Sequence, residues 1–139
     1  MSQNYWISRR HFVGTGAAAL ALAAVRPSRA LSRDALTPYR VIYDERFEAG
    51  RMFAREAATL GWVTRAIRGD VTNVWYQELD VRWKRGPAPI AGVTTAQSLF
   101  VLERLSWDVG MRVTARETDP ETHLVRWLIR LPEKRGIGL

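Results

Sequence analysis

Apolar and polar positions between residues 39 and 131 change repeatedly between two patterns, one typical of strands and one of helices. Compact apolar runs predict strands at 40–44, 62–68 and 89–93. Apolar spacings of three and four residues predict helices at 48–60, from Asp70 or Thr72 to about Arg85, and from Thr94 to Val109. Two more apolar stretches, 111–117 and 123–131, predict a pair of strands joined by a turn.

The residues that flank these segments support the assignments. Gly61, Gly86 and Gly110 follow the three helical patterns, as glycine commonly does at helix ends. Thr94 and Gln97 have the spacing of a capping box at the start of the third helix. The first helix would place one apolar face against a sheet, formed by Ala49, Met52, Phe53, Ala57 and Leu60.

The resulting order, β-α-β-α-β-α-β-β, predicts a single α/β domain over residues 39–131. Strands that alternate with helices favour a small, mostly parallel sheet with helices on both faces, and the last hairpin would add an antiparallel edge. Residues 31–38 are predicted to form a linker, and residues 132–139 a C-terminal tail.

Residues 1–30 have a different composition and divide into three parts. A polar start with Ser8, Arg9, Arg10 and Phe12 precedes an uncharged, Ala-rich run at 14–25 and a short basic end. In this order and in the paired arginines the segment resembles a twin-arginine (Tat) signal peptide. The apolar run is shorter than the roughly 20 residues that a membrane-spanning helix needs, so no stable membrane span is predicted. Small residues before the junction predict cleavage between Ala30 and Leu31.

The Tat resemblance implies recognition by the Tat translocase and delivery to the periplasm, or secretion, in a folded state. Beyond the leader, the chain looks like the small, uncharacterised Tat-exported proteins of Gram-negative bacteria. A protein exported in this way often carries a cofactor or travels with a partner that carries one.

Charge and cysteine content exclude several function classes. The chain of 139 residues has a formal net charge of +7, but four of its 21 basic residues lie in the leader, which has no acidic residue. Residues 31–139 therefore carry 17 basic and 14 acidic residues, a net charge of +3, which does not indicate nucleic-acid binding. The absence of cysteine excludes thiolate metal sites, iron–sulfur clusters and covalent haem. We therefore expect no cofactor and no metal.

Polar residues follow the three strands that are predicted to be parallel. In open α/β sheets ligands bind beyond the carboxyl ends of such strands. A small-ligand or hydrolytic site would therefore use a cluster of strand-end residues: Asp44, Asp70, Thr72, Thr94 and Thr95. The structural alternative, which we favour, is that Asp70, Thr72 and Thr94 cap helices and that Asp44 only ends a strand.

Sequence patterns of catalysis are weak. The chain has neither a G-x-G-x-x-G nor a P-loop pattern. A catalytic triad would need His123, the only histidine after the leader, and neither Ser98 nor Ser106 lies in a nucleophile elbow.

The predicted second helix combines aromatic and basic residues. Trp75, Tyr76, Trp83 and Arg85 could form a partner-binding surface, because Trp, Tyr and Arg dominate interface hot spots. Trp83 could equally fill the core of a small domain. The function that these observations favour is a noncatalytic, exported accessory or partner-binding subunit of a Tat-exported oxidoreductase system. The alternative is a small periplasmic ligand-binding protein or hydrolase that uses the strand-end Asp and Thr residues.

Overall fold

The computed structural model describes residues 37–133, which form five strands and three helices. The strands are β1 (Arg40–Asp44), β2 (Thr64–Ile67), β3 (Ile90–Thr94), β4 (Arg112–Thr118) and β5 (Val125–Arg130). The helices are α1 (Glu48–Thr59), α2 (72–83) and α3 (Ala96–Trp107). This order confirms the predicted β-α-β-α-β-α-β-β succession. The predicted signal motif and cleavage site lie outside the described residues.

The five strands form one mixed sheet in the order β2-β1-β3-β5-β4. β1 pairs in parallel with β2 and with β3, whereas β5 pairs antiparallel with both β3 and β4. The prediction of a mostly parallel sheet is therefore wrong. Helices connect the first four strands, but the short β4–β5 turn makes β5 antiparallel to β4, and β5 lies between β3 and β4. Because β5 also lies beside β3, half of the strand pairs are antiparallel.

Helices cover both faces of this sheet, and neighbouring residues of β1 show the division. Val41 packs with Phe53 and Ala57 of α1 on one face. Ile42 faces the opposite side, in the larger core that α2 and α3 contribute to. The β1 residues Val41 and Ile42 are both fully buried. The alternation of side chains along a strand thus places apolar residues in two separate layers.

Helix α2 is not a regular α-helix. Its first turn (Thr72–Val74) and last turn (Asp80–Trp83) are α-helical, and a π-helical turn, Trp75–Leu79, separates them. Glu78 in that turn bonds to Arg40 of β1, with 2.5 Å between Oε1 and Nε, and forms an ion pair with Arg65 of β2. A π-helical turn is rare, and here it carries the carboxylate that links α2 to two adjacent strands.

Two local predictions about helix ends are wrong. Thr95, not Thr94, caps α3, because its hydroxyl oxygen accepts a hydrogen bond from the Ser98 backbone N–H at 3.3 Å. Thr94 is the last residue of β3. Leu60 lies beyond α1 and is 46% exposed, so it does not join the apolar face of that helix.

No helix within residues 37–133 is both long enough and apolar enough to cross a membrane.

Candidate functional site

The predicted strand-end cluster lies at the edge of the sheet where β1, β2 and β3 end. Next to this edge, the loop after β2 is tied to α3, because the Ser98 hydroxyl donates to the Gly69 carbonyl oxygen at 2.9 Å. Arg46 lies against the same loop, since a Cβ added at Gly69 would be 2.7 Å from its Nη2. The fold therefore brings the loops that follow β1 and β2 close to the start of α3.

Asp44 is fully buried, and Arg46 supplies hydrogen bonds to both of its carboxylate oxygens. The Arg46 Nε and Nη2 atoms lie 2.9 and 2.7 Å from Oδ1 and Oδ2, and the Arg46 backbone N–H also donates to Oδ1. The Asp44 carboxylate raises the pKa of Arg46, chiefly through the side-chain hydrogen bond. Asp44 thus stabilises the turn after β1, and its charge is matched by a neighbouring cation.

Asp70 and Thr72 form a local hydrogen-bonded turn at the start of α2. One Asp70 oxygen, Oδ1, accepts from the Thr72 backbone N–H at 2.9 Å and from its hydroxyl at 2.6 Å. These bonds favour the ionised carboxylate and lower the pKa of Asp70. This contact between residues i and i+2 is an Asx turn. Val71, and not Asp70 or Thr72, occupies the N-cap position of α2, and no side chain caps the helix there.

Thr94 is fully buried and belongs to the packing of the sheet. Its hydroxyl accepts a hydrogen bond from the Trp127 indole N–H at 3.0 Å and donates to the Thr95 carbonyl oxygen at 2.9 Å. Thr95 caps α3. At each of the five strand-end positions the polar group is therefore held by hydrogen bonds within the domain, but Thr95 is the only one of the five residues at a helix N-cap position.

Ser106 and His123, which were considered for a catalytic triad, lie in a helix and in a turn. The Ser106 hydroxyl lies 2.7 Å from the Glu103 carbonyl oxygen, inside α3. His123 is exposed and has a φ of 66° in the turn before β5. Among residues 37–133, no group of three or more His, Asp or Glu side chains is arranged to hold a metal ion.

One surface depression has a volume of about 130 Å³. Typical small-molecule sites have volumes of about 300–1,000 Å³. The depression is lined by Pro87, Pro89, Met111, Arg130 and Leu131. These residues lie near the start of β3 and the end of β5, at the edge of the sheet opposite the strand-end cluster.

The aromatic residues predicted to form a surface on α2 are divided between core and solvent. Trp83 is 3% exposed, and its indole N–H donates to the Ala88 carbonyl oxygen at 3.0 Å. Trp75 is partly buried and meets the Trp83 ring edge-on at 5.9 Å between centroids. Tyr76 is 66% exposed, and Arg85 is exposed. Trp83 therefore contributes to the core, which leaves a smaller exposed aromatic surface on α2 than the sequence suggested.

A second aromatic surface, which the sequence analysis missed, lies on α3. Phe100, Val101 and Trp107 are 55%, 42% and 43% exposed. The Arg104 guanidinium lies over both aromatic rings, 5.6 Å from the Phe100 centroid and 4.6 Å from that of Trp107. Arg112, at the start of β4, approaches the Trp107 ring at 5.5 Å. We call these five residues the α3 surface.

Helical spacing contained part of the signal for this surface, because it groups residues on one face of α3 without deciding which elements pack against that face. Leu99 and Leu102 form the buried face of α3 and are fully buried. Phe100, Arg104 and Trp107 recur at intervals of four and three residues, so they share another face of the helix. Large aromatic residues that fall outside the apolar face of a helix are candidates for an interface.

A buried charged cluster lies on β4, β5 and the turn between them. Arg126 and Glu117 are opposite each other in the antiparallel register, with 2.6 Å between Nη2 and Oε1. Burial raises the pKa of Glu117; Arg126 partly offsets this effect, and Asp119 adds to it. Burial likewise lowers the pKa of Arg126. Asp119 is also held in the turn, where it accepts from the Thr122 hydroxyl at 3.0 Å.

Comparisons of the chain with protein-family models, with curated proteins and with solved structures gave no match.

Proposed function

We propose that this chain is exported by the Tat pathway and acts outside the cytoplasm as a noncatalytic domain that binds another exported protein. The observation that carries the binding role is the α3 surface, where Arg104 lies between two exposed aromatic rings. Export is supported by the sequence of the leader, with Arg9 and Arg10 before an uncharged run and Ala30 at the expected cleavage position.

The chemistry of the α3 surface suits protein binding. Trp and Arg are enriched among residues that lose the most binding energy when truncated, and aromatic rings supply a large contact area with little loss of rotamer freedom. Phe100 and Trp107 lie on a helix whose other face is anchored by Leu99 and Leu102 in the core. A rigid helix that presents ordered side chains reduces the entropy lost on binding.

The strand-end cluster supports the noncatalytic part of this proposal. A general base or a cation ligand needs an oxygen that can reach the substrate or ion. The Asp44 oxygens accept hydrogen bonds from Arg46, and Asp70 bonds to Thr72. Catalysis by Asp44 would require its ion pair to open. Small-ligand binding at this edge remains the competing function, and the experiment below separates the two.

The binding role can be tested by photo-crosslinking in a host that exports the protein. A photoreactive amino acid at Val101 of the α3 surface is compared with one at Val63, which is 51% exposed and precedes β2. We expect Val101 to crosslink one exported protein, Val63 to crosslink none, and Trp107→Ala to abolish the product. Absence of any crosslink at Val101 would contradict the binding role. A metabolite that raises the melting temperature of the wild type but not that of Asp44→Asn would favour the competing ligand-binding function.

Export is tested separately, because the two parts can fail independently. We expect the full chain to be recovered from the periplasm in a shortened form, and Arg9→Lys with Arg10→Lys to retain the unprocessed chain inside the cell. Processing that persists in a strain without the Tat translocase would exclude Tat-dependent export while leaving the binding role intact.

A further inference from the structure

The α3 surface holds two arginines whose guanidinium groups are positioned by aromatic rings. Arg104 lies over Phe100 and Trp107, and Arg112 approaches Trp107 from the start of β4. Such contacts attract the guanidinium to the ring face and restrict the arginine side chains. A guanidinium that rests on a ring still directs N–H groups outward from its edge.

The described part of the chain does not neutralise these two arginines. Between residues 37 and 133, Arg104 and Arg112 form no ion pair, although Arg112 donates one hydrogen bond to the Met111 carbonyl oxygen at 2.7 Å. Arg40, Arg46 and Arg65 are, by contrast, each paired with a carboxylate of the domain. The cations of the α3 surface thus lie against aromatic rings and are available to an external carboxylate.

We infer that the α3 surface binds an acidic segment of the partner protein. Carboxylates of that segment pair with Arg104 and Arg112, and an apolar side chain beside them packs on Phe100 and Val101. The planar donor array of arginine matches a carboxylate in a bidentate pair, which a lysine cannot reproduce. This inference rests on the proposed binding role and adds the chemistry of the partner.

The placement of charge favours a protein segment over a membrane. An interfacial helix inserts an uninterrupted apolar face into the lipid and keeps its charges on the opposite face. On α3 the Arg104 charge lies between the exposed rings, so insertion of Phe100 and Trp107 would take the charge with them. Leu99 and Leu102 belong to the core and are fully buried. A carboxylate partner compensates the charge, and the acyl layer of a membrane does not.

The test selects ligands without assuming their sequence. A random peptide-display library is panned against the full chain, and binders that also bind Trp107→Ala are removed. We expect the remaining peptides to be enriched in Asp and Glu with an adjacent apolar residue. Enrichment of basic or purely apolar peptides would overturn the acidic assignment, as would failure to enrich any peptide that depends on Trp107.

Fluorescence anisotropy with the most enriched peptide then measures the role of each arginine. We expect Arg104→Gln to weaken binding by about tenfold, which corresponds to about 1.4 kcal/mol, and higher salt to weaken it as well. Arg104→Lys keeps the charge but loses the planar donors, so it should recover only part of the affinity. Arg55→Gln, at an exposed position of α1, is the matched control and should leave binding unchanged.

Two further measurements distinguish other occupants. Binding to vesicles of phosphatidylcholine and phosphatidylglycerol that Arg104→Gln abolishes, without competition by the peptide, would overturn the inference in favour of a lipid surface. Self-association that depends on Trp107 would overturn it in favour of a second copy of the chain. If Val101 crosslinks a partner but the selected peptides are not acidic, only this inference fails. If Val101 crosslinks nothing, the proposed binding role itself fails.

Discussion

The indole ring of Trp127 on β5 lies against the backbone of Gly92 on β3, where no side chain could be accommodated. A Cβ added at Gly92 would lie 2.6 Å from Cζ2 of Trp127 and 2.1 Å from the Ile42 carbonyl oxygen on β1. Gly92 and Trp127 are directly paired in the antiparallel register. The ring continues to Thr94, whose hydroxyl accepts its N–H, so the three central strands meet around one tryptophan.

Replacing this glycine should therefore destabilise the domain. We expect Gly92→Ala to lower the free energy of unfolding by at least about 1–3 kcal/mol, the usual cost of overpacking, because both obstacles are rigid. Urea denaturation followed by tryptophan fluorescence measures the change. Thr114→Ala, at an exposed position of β4, is the control and should change stability by less than about 0.5 kcal/mol. Equal stability of Gly92→Ala and the wild type would contradict the packing described here.

Asp44→Asn tests whether the strand-end carboxylate has a structural role. The amide cannot accept on both of its terminal atoms, so Arg46 loses at least one of its two side-chain bonds. We expect a lower melting temperature without any added ligand. Glu45→Gln is the matched control: it removes an exposed ion pair to Arg68 at 3.3 Å and should have little effect. Unchanged melting of Asp44→Asn would instead favour a functional role for this carboxylate.

Glu78→Gln should loosen the attachment of α2 to the sheet. The substitution removes the shared negative charge that Arg40 and Arg65 face, and the Glu78 side chain is only 15% exposed. We expect a loss of about 1.5–3 kcal/mol in unfolding free energy, the range for hydrogen bonds to charged groups. Asp80→Asn removes a helical pair to Lys84 and should cost no more than about 0.5 kcal/mol. Similar losses in the two variants would contradict a specific role for the π-helical turn.

The buried Glu117 predicts a component of stability that declines with rising pH. Its pKa in the folded protein lies above the ordinary value of 4.5, so the folded state holds this proton more tightly than the unfolded state does. The free energy of unfolding therefore falls as the pH rises from 4.5 through the raised pKa of Glu117. Glu117→Gln cannot titrate and lacks this component.

The measurement is the difference in unfolding free energy between the wild type and Glu117→Gln across this pH range. We expect the difference to shift steadily against the wild type as the pH rises. Glu121→Gln, at an exposed position of the turn, controls for general charge effects and should show no such trend. A constant difference for Glu117→Gln would show that burial does not affect this carboxyl as described.

Local sequence patterns determined the succession of strands and helices in this protein. The spacing of apolar residues separates strands from helices. Gly61 and Gly110, which have positive φ, mark the ends of α1 and α3. The sequence also located the polar residues at the strand ends, and several of their hydrogen bonds join neighbours within a few residues. Asp70 with Thr72 is an example.

Only the tertiary structure decided the sheet order and the face on which each aromatic residue lies. The position of β5 beside β3 depends on contacts between distant residues, among them the fit of Trp127 against Gly92. Trp83 and Trp107 are both at helical positions that periodicity allows to be core or surface. Trp83 packs into the larger core, where its indole N–H donates a hydrogen bond to the Ala88 carbonyl oxygen. Trp107, in contrast, is 43% exposed and lies beside Arg104. Burial is settled by which elements pack together, and no local pattern in the chain encodes that choice.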